Sequence, residues 1–184
     1  ELPETPAGHA EVLRNFTLTL WNTYSFFVTY ANLDGWSPDP AIEPEYSALD
    51  RWLLSALHTL VRDVTFALDH YDVLAASRPI QDFVDNLSNW FLRRSRRRFW
   101  KSESDGDKFA AYATLYEALL TVSKLLAPFM PFLADEIYLN LVGNGRENGT
   151  SVHLAQWPQF NGDFIDEKLN REMETVMKLA SVGH

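Results

Sequence analysis

The densest chemistry in the chain lies between residues 92 and 101, Leu-Arg-Arg-Ser-Arg-Arg-Arg-Phe-Trp-Lys, which hold six of the sixteen basic residues and no acid. Guanidinium forks match phosphate oxygens in pairs, and an Arg plane or an aromatic ring can stack on an unpaired base. Asn86 and Asn89, just upstream, carry amides that can read base edges. Projected on a helix at about 100° per residue, Asn86, Asn89, Arg93, Arg96, Arg97 and Trp100 share one stripe, and Lys101 follows it. Ile80, Phe83, Leu87, Trp90 and Phe91 occupy the opposite sector, so Trp90 is expected in the core. The stripe is a candidate RNA-binding surface. Arg94 and Arg98 line up with the apolar sector and are expected to pair with buried acids. A solvated face neutralised by neighbouring acids is the bland alternative for the whole run.

The net charge of −9 argues against a generally basic nucleic-acid glove. With the six cations of this run set aside, the remaining residues carry −15, so the positive charge is focused on one segment. No other chemistry competes with it. His9, His58, His70, His153 and His184 are scattered without metal-site spacing, and the chain has no cysteine, so no metal site is expected. Asp69 with Asp72, and Asp135 with Glu136, stand beside no nucleophile or orienting group and read as solvent or cap residues. Trp21, Trp52 and Trp90 fall on apolar stripes; Trp100, and after it Trp36 and Trp157, are the tryptophans open to a functional role. The lack of cysteine fits a reducing compartment, no apolar run approaches the roughly 20 residues of a membrane span, and no signal peptide is recognisable; a cytoplasmic location without membrane contact is expected. The chain starts at Glu1 rather than Met and stops just past a helical pattern, which suggests an excised piece.

The elements that must position the basic stripe are helical. Leu13, Phe16, Leu20, Tyr24, Phe27 and Ala31 define a first helix, whose other faces still carry Leu18, Trp21, Phe26 and Tyr30 and so call for a covering partner. Asp34-Gly35 and three prolines then mark a loop. Ser47 to Asp50 reads as a capping box, followed by a stripe of Leu49, Trp52, Ala56, Leu60, Ala67 and Tyr71 running to about Ala75. Ser77 and Pro79 are expected to open a third helix that continues to Trp100. After a polar turn over Ser102 to Gly106, a fourth helix runs from Phe109 until Pro128 ends it, and Pro131 starts a short fifth through Leu141. The glycine-rich stretch Gly143 to Gly149 reads as a mobile loop, Val152-His153-Leu154 as briefly extended, and Asp163 as the cap of a last helix on which Ile165, Leu169, Met173, Val176 and Ala180 share a face. The expected fold is all-α: a bundle of four long helices plus a short fifth over residues 1–158, with a C-terminal helix over 159–184 leading toward a missing region.

Asn89 to Trp100, Asn-Trp-Phe-Leu-Arg-Arg-Ser-Arg-Arg-Arg-Phe-Trp, resembles the segment of isoleucyl-tRNA synthetases usually written NWYVRRSRRRFW. Leu20 to Phe27, and Leu126 to Tyr138, are similar to the same enzymes in the same order, and Ser151 to Leu154 with Trp157-Pro158 matches their usual exit from the bundle. The Pro-Phe-Met-Pro stretch is shared with the valyl, leucyl and methionyl enzymes, so it is the Arg-rich segment that selects isoleucine. Phe91 and Leu92 stand where Tyr and Val are usual, and neither change removes charge. The resemblance implies an anticodon-binding domain that grips the anticodon stem-loop of tRNA(Ile), with the catalytic domain of the same enzyme covering the first helix. It implies that ATP and magnesium act in that catalytic part, whose His-Ile-Gly-His and Lys-Met-Ser-Lys-Ser signatures are absent here, and that this chain holds no cofactor and no catalytic residue. The competing reading is a helical interaction or scaffold module whose Arg stripe meets an acidic protein. For a third, a self-contained helical enzyme, no catalytic cluster can be assembled.

Overall fold

The computed structural model describes residues 13–101, 105–142 and 150–182. Its helices are α1 (Leu18–Asp34), α2 (Ala48–Asp69), α3 (Val73–Asn86), α4 (Arg93–Trp100), α5 (Gly106–Leu126), α6 (Pro131–Leu141) and α7 (Glu167–Val182). A π turn, Leu13–Thr17, leads into α1, and a second, Leu87–Leu92, joins α3 to α4. The all-α bundle expected from the periodicity is what forms, and none of the described helices is long and apolar enough to cross a membrane. The expected glycine loop and residues 102–104 of the polar turn lie outside the described residues.

Two long helices organise the core. α2 packs against α3, α5 and α7, and α5 against α1, α4 and α6. Between them lie Trp52, Leu53, Leu57 and Val64 of α2, Leu115, Leu119 and Val122 of α5, and Leu20, Tyr24 and Phe27 of α1, all buried. Trp36 is absorbed here too. It stacks on Tyr112 at 5.4 Å and meets Phe27 edge-on at 5.7 Å, so it is part of an aromatic core rather than a free ring.

Helix ends follow local chemistry. Ser47 and Asp50 form the expected capping box of α2. α1 closes with Trp36 N–H on Ala31 O and Gly35 N–H on Asn32 O, with Gly35 at φ 63°. This Schellman arrangement needs a left-handed residue, which glycine adopts without steric cost. The same arrangement ends α2, but there Tyr71 holds the left-handed position at φ 58°, with Asp72 N–H on Ala67 O. That changes the expectation for this region. The chain reverses at Tyr71, so Tyr71 is 92% exposed instead of in the core. The next helix begins at Val73 because the Asp72 carboxylate accepts from Ala75 N–H, and Pro79 lies in its second turn rather than at its start.

Beyond α6, Asp135 fixes the chain by accepting from both Ser151 Oγ and Val152 N–H at 2.8 Å, which holds its carboxyl below the usual range. Val152–Leu154 forms a 3-10 turn rather than an extended run, closed by Leu154 N–H on Ser151 O; Ala155, which follows, is extended. The tail then runs along α2 on polar contacts. Trp157 Nε1 donates to Thr65 Oγ1 at 2.8 Å, Asn161 N–H to His58 Nδ1 at 3.2 Å, and Asp166 N–H to Ser55 Oγ at 2.8 Å. Asp166, not Asp163, caps α7, through Leu169 N–H; Asp163 lies in a separate 3-10 turn, Gly162–Phe164. Leu169, Met173 and Met177 pack on the core, whereas Val176 and Ala180 of the expected stripe face solvent.

Candidate nucleic-acid interface

The basic segment sits on a helix whose phase changes just before it. In the Leu87–Leu92 π turn, Arg93 N–H bonds to Ser88 O, five residues back instead of four. Such a turn admits roughly one extra residue, so everything after it rotates by about 100° relative to an uninterrupted helix. Up to its first residue, Ile80, Phe83, Val84 and Leu87 face the core; from its last two residues onward, Phe91, Leu92, Ser95 and Phe99 do. Leu92, Ser95 and Phe99 are not on the inward sector of a straight projection.

Arg94 and Arg98 lie one turn apart on α4, both beyond the slip, and differ in what each reaches. Arg94 is exposed and forms no ion pair among the described residues; its Cζ lies 3.8 Å from the centroid of the Trp90 ring. The expectation that Arg94 meets a buried acid is therefore corrected, and Trp90 is half-buried beneath it rather than a core residue. The spacing of four between Trp90 and Arg94 was the available signal, since residues so placed are neighbours on a helix and a guanidinium favours an indole face.

Arg98 turns inward. Its Nη1 and Nη2 each donate at 2.8 Å to the two oxygens of Asp50, whose side chain is fully buried. Nη2 also donates to Asp107 O at 2.9 Å, and Nε lies 2.8 Å from Asp107 Oδ1. Burial disfavours the charge, but the Asp50 and Asp107 carboxylates outweigh it and hold the Arg98 pKa above its ordinary value. Asp50 simultaneously accepts from Ser47 N–H and Ser47 Oγ. One carboxylate thus caps α2 and clamps α4, while Arg98 carries the clamp on to the start of α5.

Lys101 is drawn into the same corner, with Nζ 2.7 Å from Asp105 and 3.0 Å from Asp107. Those bonds raise its pKa and commit its charge internally. Lys108 is buried, donating to Lys101 O at 2.8 Å and lying 2.7 Å from Asp34 Oδ2. Tyr112 Oη also donates to Asp34. Burial pushes the Asp34 carboxyl up, but Lys108 and Tyr112 more than offset it and hold the pKa below its usual value.

What remains outward is compact. Arg93, Arg96 and Arg97 are exposed and carry no ion pair among the described residues, and Trp100 is 54% exposed beside them. Asn89 is exposed next to Arg93 and Arg94, and these three with Trp90 form one wall of a cleft whose other wall is α7. Asn86 lies apart from them, in a neighbouring groove with Asp82 and Glu174. Trp21, expected in the core, is 42% exposed on α1 near exposed Leu18, because Leu20, Tyr24 and Phe27 take the inward face. Trp157 is engaged by Thr65, which leaves Trp100 as the free indole of the three singled out for function.

The isoleucine–tRNA ligase of Dehalococcoides mccartyi is 54% identical over 175 residues, which cover 94% of this chain and 17% of that protein. Those of Deinococcus radiodurans and Thermus thermophilus are 52% and 49% identical, over 95% and 94% of this chain and 16% and 17% of theirs. The chain spans about a sixth of the length of the curated relatives it matches. The family model described as the anticodon-binding domain of tRNA ligase matches residues 50–183, from the carboxylate that clamps Arg98 to the end of α7. With its exposed arginine face and the helices that orient it inside that match, the chain belongs to the anticodon-binding domain family of tRNA ligases.

Proposed function

We propose that this chain is the RNA-reading part of an isoleucine–tRNA ligase and grips the anticodon stem and loop of tRNA(Ile). The observation that carries the reading is the division of labour within residues 93–101. Arg98 and Lys101 are spent on internal carboxylates, while Arg93, Arg96 and Arg97 stay outward beside an exposed indole. Three guanidiniums and a ring on one short face suit phosphates flanking an unpaired base. The chain itself performs no chemistry in this reading. ATP, magnesium and the joining of isoleucine to tRNA belong to a catalytic part outside it, and that part covers the exposed Leu18 and Trp21 of α1.

The test is binding of a labelled 17-nucleotide hairpin carrying an isoleucine anticodon, measured across salt. Neutralising about four phosphates gives a log–log slope near −3 for single-stranded contacts, with tighter binding than to hairpins of other anticodons. A flat slope without anticodon preference, or equal binding to an acidic peptide, overturns the reading.

A further inference from the structure

The cleft between α4 and α7 has a volume of about 590 Å³, inside the roughly 300–1,000 Å³ range of ligand sites. We propose that it receives one unpaired base of the bound RNA loop, stacked on the Arg94 guanidinium with Trp90 as its backing. The proposal rests on the RNA reading above and assigns to α7 a wall of the site.

Three observations carry it. Arg94 Cζ lies over the Trp90 ring at 3.8 Å, and both side chains line the cleft. A planar cation held in this way is a stacking surface for a base, whatever its sequence. Second, no acid among the described residues lines this cleft, although the chain has 25 acidic and 16 basic residues. The neighbouring groove between α2, α3 and α7 is lined by Asp63, Asp82 and Glu174, and the one beside Arg62 by Asp163, Asp166 and Glu167. A polyanion is repelled from both and admitted here. Third, the wall contributed by α7 is small where the base must enter, Ala180 and Ser181, and apolar below, Met177. Asn89 at the rim offers a donor and an acceptor to a base edge, and Arg93 a fork to the adjoining phosphate.

The experiment uses the same hairpin with 2-aminopurine at each loop position in turn, titrated with the unaltered chain, with Arg94→Lys and with Ala180→Trp. Lysine keeps the charge and loses the plane; tryptophan at the solvent-facing position 180 fills the cleft from a site where the helix has room. The expected result is one loop position whose fluorescence changes on binding. Both variants should abolish that change and weaken the intact loop by about ten-fold, while affinity for a hairpin abasic at that position stays the same. If the hairpin binds but neither variant alters any position, the base pocket is overturned and the RNA reading stands. If no hairpin binds, both fall.

Discussion

Removing Arg98 should destabilise the domain far more than removing Arg94, four residues earlier on the same helix. Arg98→Ala leaves the Asp50 carboxylate, fully buried, with only the Ser47 contacts, and it unties α2 from α4 and α5 at one stroke. Breaking a buried pair by deleting one partner costs about 3–5 kcal/mol. The Arg98 side chain keeps 15% exposure, so the lower end of that range applies. Arg94→Ala loses an exposed cation–π contact worth roughly 0.5–1 kcal/mol. At about 2–4 °C per kcal/mol for a domain of this size, the expected Tm losses are about 6–12 °C and about 1–4 °C respectively. Thermal melts followed by circular dichroism measure both, and urea titrations convert them to free energies. Asp50→Asn combined with Arg98→Ala should recover at least about 1 kcal/mol, because the orphaned charge is gone while an Asn oxygen can still accept from Ser47 N–H. Equal Tm values for Arg98→Ala and Arg94→Ala would refute the assignment of Arg98 to the buried Asp50 carboxylate and of Arg94 to the outer face of Trp90.

Arg93→Ala and Arg97→Ala should each leave the melting curve within about 0.5 kcal/mol of the parent, weaken every hairpin alike, and cut the salt slope by about 0.7, read by anisotropy at several salt concentrations. Burial depresses the His58 pKa, and its Nδ1 accepts from Asn161 N–H. The folded chain therefore binds that proton less readily than the unfolded one. The His58 contribution to stability is complete above the ordinary value of 6.5 and is lost as pH falls through it, and His58→Asn, which keeps an acceptor near Nδ1, should flatten that loss in urea titrations from pH 7.5 to 5.5. Tyr112→Phe removes the hydroxyl that helps hold Asp34 below its usual pKa and should cost roughly 1.5–3 kcal/mol at neutral pH. That difference should shrink as acid protonates Asp34 through its lowered pKa, so equal losses at neutral and strongly acidic pH would contradict the assignment.

The sequence alone determined the elements whose causes are local. The capping box at Ser47, the glycine stop at Gly35, the proline start of α6 and the 3.6-residue stripes of α1, α2 and α5 are each written within a few neighbouring residues, and so is the concentration of positive charge in one segment. How that charge is divided follows from the packing of the helices. A π turn has no signature in apolar spacing, yet its one-residue slip places Leu92, Ser95 and Phe99 inside. Arg98 and Lys101 find carboxylates at positions 50, 105 and 107, and the long-range partner, 48 residues away in the chain, cannot be read from a helical projection. The docking of the tail is hidden from helical spacing for a related reason. Besides its apolar contacts it docks on α2 through Ser55, His58 and Thr65, polar residues that apolar spacing leaves to solvent. Periodicity reports which face of a helix is oily; which charges meet and which polar groups pair depends on distances that exist only once the helices have packed.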